Sequence, residues 1–150
     1  MAAILLDVDG VLLLSGEPLP GAADAVRALR AAGHRLRFVT NNTIRTRAQI
    51  VGDLRGAGVE LDEDELQTTP AAAARALRGK RVLVLAMAAV LDELEGVELV
   101  DEGADAVLLG GADETGETTR VFSFENLSRA FNEIDNGAGL YCLHRNRWWL

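Results

Sequence analysis

Two aspartates near the start of the chain have the spacing for phosphoryl chemistry. They lie in the run Asp7-Val8-Asp9-Gly10, directly after the apolar residues 3–6. If the chain leaves a strand in a tight turn at Gly10, Asp7 can point at a bound phosphorus atom while Asp9 reaches the leaving oxygen, and nearby amides can hold phosphate oxygens. This arrangement suits a carboxylate nucleophile beside a general acid/base. An acidic turn that caps the following loop has the same pattern, so the run alone leaves both interpretations open.

A second polar cluster, Thr40-Asn41-Asn42, follows the apolar pair at 38–39. The Thr40 hydroxyl and the amides after it could bind phosphate oxygens, and the two Asn side chains could orient nucleophile or substrate. Alone, these residues are equally typical of a turn with a helix N-cap. Two polar clusters at the ends of neighbouring parallel strands are a stronger signal, because α/β proteins bind ligands at that edge of the sheet.

The elements that would position these clusters alternate along the chain. Residues 3–6 predict a strand buried on both faces of a parallel sheet, and residues 21–32 predict an amphipathic helix. A second strand at 35–39 and a second helix at 46–57 follow. Strand, helix, strand, helix predicts right-handed crossovers and therefore an α/β fold with a parallel sheet.

A second α/β module is predicted after a helix start at Thr69-Pro70. Its polar, glycine-rich stretch at 110–119 predicts an exposed loop or hairpin. Its one long helix, from Phe124 to Ile134, carries an apolar stripe at helical spacing. The predicted strands of this module cover residues 82–86, 97–100, 106–109 and 140–143.

Composition limits the classes of partner. The chain has 150 residues, 49% of them apolar, with a net charge of -8 and a pI of about 4.7. Nucleic acid and anionic membranes would be repelled at long range, and no apolar run approaches the roughly 20 residues that span a bilayer. The lone cysteine, Cys142, cannot form a disulfide within the chain and is expected to be buried and inert. With no leader-like segment after Met1, a cytoplasmic protein is expected.

Two segments resemble motifs of the haloacid dehalogenase (HAD) superfamily. Residues 4–12 are similar to its first motif, and residues 38–42 are similar to its second. The Pro20-Gly21 helix start and residues 68–71 resemble the branch that contains NagD-like and 4-nitrophenylphosphatase-like phosphatases. That resemblance implies a Rossmann-like core with a parallel sheet over residues 1–70, followed by an inserted α/β cap domain over residues 71–150, with both the core and the cap incomplete in this chain.

The resemblance also implies roles for the polar residues. Asp7 would be the nucleophile that forms an aspartyl-phosphate, and Asp9 the general acid/base. The Asp7 carboxylate and the Asp9 backbone carbonyl would bind Mg²⁺, and Thr40 would bind the transferring phosphoryl group, with Gly10, Asn41 and Asn42 as further substrate contacts. The implied activity is Mg²⁺-dependent hydrolysis of a small phosphorylated metabolite. A magnesium ion would reduce the repulsion between a carboxylate and a phosphate dianion.

The chain departs from the family pattern after the cap. The family uses a lysine from a third motif and acidic residues from a fourth, whereas Lys80 is the only lysine here and precedes a predicted cap strand. We therefore expect a piece of a longer phosphatase, or a chain that another chain completes, with little activity alone and an unpaired edge on its first strand. The alternative is an inert fragment that binds phosphate or a partner subunit. A second copy would then bind through the cap or the exposed sheet edge.

Overall fold

The computed structural model describes residues 2–113 and 116–145. The chain forms two compact units: unit 1 comprises Met1–Thr40 and Thr46–Thr68, and unit 2 comprises Asn41–Arg45 and Thr69–Leu150. Each unit has its own sheet of parallel strands with helices between them. The predicted α/β class with parallel sheets is confirmed. Residues 114–115 and 146–150 of the predicted cap lie outside the described part of the chain.

Unit 1 is built on a three-stranded parallel sheet in the order β1-β4-β5. The strand pair that matters for the site is β1 and β4, which run side by side with Asp7 opposite Val39. The elements of unit 1 are β1 (Ala3–Asp7), β2 (Leu13–Leu14), β3 (Glu17–Pro18), α1 (Ala22–Ala31), β4 (Arg35–Thr40), α2 (Arg47–Gly56), a 3₁₀ turn (Glu63–Glu65) and β5 (Leu66–Thr68). Strands β2 and β3 form a small antiparallel hairpin. The sequence predicted β1, α1, β4 and α2, but not β5 or the hairpin.

The two helices of unit 1 have the predicted ends. Thr46 is the N-cap of α2, and its side chain exchanges hydrogen bonds with Gln49 in a capping box, which satisfies amides that a helix start leaves unpaired. Gly33 follows α1 with a φ of 80°, a conformation that glycine adopts without steric cost. Both helices pack their apolar sides on one face of the sheet, around Phe38.

Strand β1 is not buried on both faces, so that prediction was wrong. Ile4 and Leu6 pack against the core, whereas Leu5 is 71% exposed. Arg37 lies opposite Leu5 in the register and is also exposed. The reason is that α1 and α2 cover one face only. Within the described residues β1 is also an edge strand, as the sequence led us to expect.

A bidentate ion pair ties α1 to the start of β5. The Arg30 guanidinium donates to both carboxylate oxygens of Glu65, at 2.9 and 2.6 Å. Glu65 also accepts from the Asp62 amide at 2.9 Å. The hydrogen bond from Arg30 is the main cause that holds the pKa of Glu65 below its ordinary value of 4.5. The pair therefore stabilises the folded state while Glu65 is ionised.

We expect Glu65→Gln to lower the free energy of unfolding by about 1 kcal/mol at pH 7, because the pair is partly exposed to water. A lowered pKa means that this contribution is present above the unfolded-state value and is lost as pH falls through the folded-state value. The gap between wild type and variant should therefore narrow as pH falls below the ordinary value of 4.5 and close once pH is below the lowered folded-state pKa of Glu65. Urea unfolding across pH measures it, with Glu63→Gln in the same turn as the control. A gap that persists at low pH would contradict the assignment.

Unit 2 has a four-stranded parallel sheet in the order β7-β6-β8-β9. Its elements are α3 (Thr69–Ala76), β6 (Arg81–Leu85), α4 (Ala88–Leu91), β7 (Glu98–Leu99), β8 (Ala106–Leu109), α5 (Gly116–Val121), α6 (Phe124–Asp135) and β9 (Gly139–Cys142). All four predicted strands and the predicted long helix are present, with bounds shifted by a residue or so. Buried residues form an apolar cluster on each face of the sheet, one around Val82 and Leu108 and the other around Leu83 and Val107.

The apolar stripe predicted on α6 is largely exposed: Phe124 and Phe131 are 88% and 67% exposed, while Ala130 packs inward. Two local expectations for unit 2 were wrong. Cys142 is exposed on the edge strand β9. The stretch expected to be an exposed loop contains helix α5 and the buried Gly111. Each error concerns which side of an element meets a neighbour, and local spacing does not determine that.

Candidate active site

The turn after β1 directs the two aspartates outward. Val8 is buried, whereas Asp7 and Asp9 on either side of it are exposed. The Val8 carbonyl accepts hydrogen bonds from the amides of Leu12 and Leu13, at 2.9 and 3.0 Å, and both of those side chains are buried. Apolar anchors on both sides of the carboxylates therefore fix a tight turn at the carboxyl end of β1. The sequence predicted this turn.

Gly10 has a conformational part in the turn. Its φ is +80°, and a Cβ atom placed on it would meet nothing within 4 Å. The need for glycine here is therefore one of backbone conformation, which costs other residues about 1–2 kcal/mol. The Gly10 amide donates to the Leu13 carbonyl at 2.7 Å. Its contact with a phosphate oxygen stays a prediction.

Thr40 lies beside this turn, at the end of the neighbouring strand. Its side chain is 4% exposed, and its hydroxyl donates to Asp9 Oδ2 over 3.4 Å. That distance is long compared with the usual 2.7–2.8 Å or so between two oxygens. Asp7 Oδ1 accepts from the Val8 amide at 2.9 Å. The structure thus brings Asp7, Asp9 and Thr40 together at one edge of the sheet in unit 1.

Asn41 and Asn42 follow Thr40 directly but belong to unit 2. The Asn42 side-chain oxygen accepts from the amides of Ile44 and Arg45, both at 3.1 Å. This is the turn-forming role that the sequence left open for Thr-Asn-Asn. A role of either asparagine in binding substrate stays a prediction.

A third strand end at the same edge was missed by sequence reasoning. Thr68 ends β5, pairs with Thr40 in the register and is 1% exposed. Strand β5 has only three residues, so neither its length nor its pattern predicted it. The available signal was the polar pair Thr68-Thr69 after Leu66, which repeats the polar endings of β1 and β4.

The donor atoms at this edge fit magnesium. Asp7 and Asp9 offer oxygen ligands only, and Mg²⁺ is commonly held by one or two carboxylates with water and substrate phosphate completing its shell. No group of three or more His, Cys, Asp or Glu side chains that could hold a metal occurs in the described ranges. Lys80 lies in unit 2, just before β6. Among the described residues, the candidate ligands at this edge are Asp7 and Asp9.

Comparison with known proteins places the chain in a family. The sequence pattern that defines the haloacid dehalogenase-like hydrolase family matches residues 4–100, which include the Asp7 turn and Thr40. The chain belongs to this haloacid dehalogenase-like family. The resemblance of residues 4–12 and 38–42 to motifs of this family therefore reflects membership of the family.

Individual proteins agree with this placement. The chain is 32% identical over 151 residues to haloacid dehalogenase-like hydrolase domain-containing protein 2 of Mus musculus, with 99% of the chain and 55% of that protein covered. The p-nitrophenyl phosphatase of Archaeoglobus fulgidus has a similar structure, with a TM-score of 0.85, 26% identity, and 99% and 56% of the two chains covered. The likeness to NagD and 4-nitrophenylphosphatase structures confirms the branch.

A third protein was solved with a metal. The glycerol phosphate phosphatase of Mycobacterium tuberculosis in complex with magnesium matches with a TM-score of 0.78 and 25% identity, over 97% of this chain and 44% of that one. The chain spans about half the length of the curated relatives it matches. No helix in the described part of the chain is long and apolar enough to cross a membrane.

Proposed function

We propose that this chain carries the nucleophile of a Mg²⁺-dependent phosphomonoester hydrolase that acts on a small phosphorylated metabolite in the cytoplasm. The observation that supports it most is the placement of two exposed carboxylates, Asp7 and Asp9, at the same sheet edge as the Thr40 hydroxyl. An edge of this kind is where parallel α/β sheets bind ligands. The phosphatase names of similar proteins point the same way.

The proposed reaction has two displacements at phosphorus. The Asp7 carboxylate attacks the phosphorus atom and forms an aspartyl-phosphate, while Asp9 donates a proton to the leaving ester oxygen. Asp9 then takes a proton from water, which attacks the phosphorus atom and releases Asp7 and inorganic phosphate. The Thr40 hydroxyl donates to a phosphoryl oxygen, and Gly10, Asn41 and Asn42 complete the proposed contacts.

The Asp7 carboxylate and the Asp9 backbone carbonyl would hold the magnesium ion. When bound, the ion would neutralise charge between the Asp7 carboxylate and the phosphoryl oxygens. The magnesium complex of the glycerol phosphate phosphatase supports this choice of metal. We also propose that the 150-residue chain by itself turns over little substrate, because unit 1 contains no lysine that could help to neutralise the charge on the phosphoryl oxygens.

Thr40→Val tests the phosphoryl contact. It keeps the shape of the buried side chain and removes the hydroxyl, so we expect orthovanadate to bind about tenfold or more weakly in the presence of Mg²⁺, the loss of one hydrogen bond to a charged oxygen. Isothermal titration calorimetry measures the affinity, and Thr119→Val on the exposed side of α5 is the control. Equal affinity for wild type and Thr40→Val would show that the Thr40 hydroxyl does not contact the phosphoryl group.

An inert fragment that binds phosphate or a second copy is the other candidate function. The observations that favour it are the open edge that β1 has among the described residues and the uncovered face of its sheet, where Leu5 is 71% exposed. An exposed parallel edge can pair with another chain. Size-exclusion chromatography with light scattering distinguishes the inert fragment from the phosphatase. A stoichiometric dimer that Leu5→Lys converts to monomers supports the inert fragment. A monomeric wild type would contradict the proposal that the fragment binds a second copy.

A further inference from the structure

One short segment of unit 2 follows the candidate site directly in the chain. Residues Asn41–Arg45 belong to unit 2, although the chain before and after them, at Thr40 and Thr46, belongs to unit 1. The segment thus begins directly after the proposed phosphoryl contact of Thr40 and contains two of the proposed substrate contacts.

Thr43 is the residue that fastens the segment. Its side chain is 2% exposed, and its hydroxyl oxygen accepts a hydrogen bond of 3.0 Å from the Gly111 amide. Gly111 follows β8, and the preceding Gly110 amide donates to the Leu85 carbonyl at 2.8 Å. The partner of Thr43 is therefore held by the sheet of unit 2. A buried amide that loses its acceptor is costly, so this contact has a strong preference for one geometry.

The two glycines show that the approach is close. A Cβ atom on Gly111 would collide with the Thr43 hydroxyl and lie 2.9 Å from His144 Nε2. A Cβ on Gly110 would lie 2.6 Å from Ala86 Cβ. Neither position has room for a side chain, and each neighbour is a short or buried group that cannot move aside cheaply. The glycine pair was interpreted from sequence as an exposed loop, yet it is where the backbone meets the Thr43 segment.

The turn around Thr43 is also internally constrained. Asn42 Oδ1 accepts from the amides of Ile44 and Arg45, so the backbone on both sides of Thr43 is fixed by hydrogen bonds. A displacement of Thr43 would move Asn41 and Asn42 with it. Groups that bind a transferring phosphoryl must be held within a fraction of an ångström of their working positions.

We propose that Thr43 is a positioning residue of the site: its hydrogen bond from Gly111 holds the Asn41–Asn42 segment in the conformation that binds the phosphoryl group. The inference rests on the proposed function. It assigns Thr43 no contact with substrate, and it makes the glycine pair after β8 part of the support for phosphate binding.

The test compares three side chains at position 43 by calorimetric titration of the full chain with orthovanadate and Mg²⁺. Thr43→Val keeps the volume and loses the hydroxyl, and we expect it to weaken binding about tenfold. Thr43→Ser keeps the acceptor and should restore the affinity to within about twofold of wild type. Thermal unfolding of each variant shows that the titrated protein is folded, and Thr119→Val is the control for a lost threonine hydroxyl elsewhere.

Gly111→Ala disturbs the same contact from the other side, because its Cβ atom would crowd the Thr43 side chain, and it should weaken orthovanadate binding. Thr43→Ala, which removes the hydroxyl without adding bulk, tests the inference if Thr43→Val does not fold, and it should weaken binding to a similar extent. Equal affinity for wild type and a folded Thr43→Val would overturn the inference while leaving the proposed function intact. Absence of Mg²⁺-dependent binding in the wild type would overturn both.

Discussion

The 150-residue chain is expected to hydrolyse 4-nitrophenyl phosphate, in the presence of Mg²⁺, at least about a thousandfold more slowly than the median enzyme turnover of about 10 s⁻¹. Phosphoryl transfer places developing charge on the phosphoryl oxygens, and removing a single donor aimed at such charge typically slows a reaction about 10²–10³-fold. Lys80, the only lysine, lies before β6 in unit 2. The described residues contain no group of three or more possible metal ligands.

Release of 4-nitrophenolate is the measurement, with Asp7→Asn as the matched control. We expect both rates to be low, with that of Asp7→Asn no higher than that of wild type, because the substitution removes the nucleophile from a site that already lacks charge stabilisation. A wild-type turnover near the enzyme median that Asp7→Asn abolishes would contradict this expectation. It would mean that the chain assembles a complete phosphatase site from the residues it has.

The part of the site on β1 and β4 was predictable because its signals are local. Apolar runs that end in polar residues mark strands whose carboxyl ends face ligand, and β1 and β4 are parallel neighbours with Asp7 opposite Val39. The turn at Gly10 followed from the sequence because a positive φ there favours glycine. The ends of two helices were also predictable from local interactions: Thr46 caps the start of α2 with its side chain, and Gly33 follows α1 with a positive φ.

What the sequence did not predict depends on distant partners. Leu5 and Leu6 lie in the same apolar run, and only the placement of α1 and α2 on one face leaves Leu5 exposed. The approach of Gly111 to Thr43 joins residues 68 positions apart. Strand β5 is three residues long and owes its existence to pairing with β4. No local periodicity carries such information.

Asp7→Asn is expected to remove the Mg²⁺ dependence of orthovanadate binding. Asparagine keeps the size of the side chain but loses the charge that would hold the metal, and even residues outside the first ligand shell typically contribute about 10–100-fold to metal affinity. We therefore expect a loss of about 100-fold or more with Mg²⁺ present. Without the metal the affinity should not fall, because the substitution also removes a negative charge that repels the anion.

The measurement that tests the central claim most directly is calorimetric titration of wild type and Asp7→Asn with orthovanadate, each with and without Mg²⁺. Asp24→Asn, an exposed carboxylate on α1, is the control for loss of one charge. We predict that orthovanadate binding depends on Mg²⁺ in wild type and in Asp24→Asn, and that it does not depend on Mg²⁺ in Asp7→Asn. Equal Mg²⁺-dependent binding by Asp7→Asn and wild type would show that the metal and the phosphoryl group bind elsewhere.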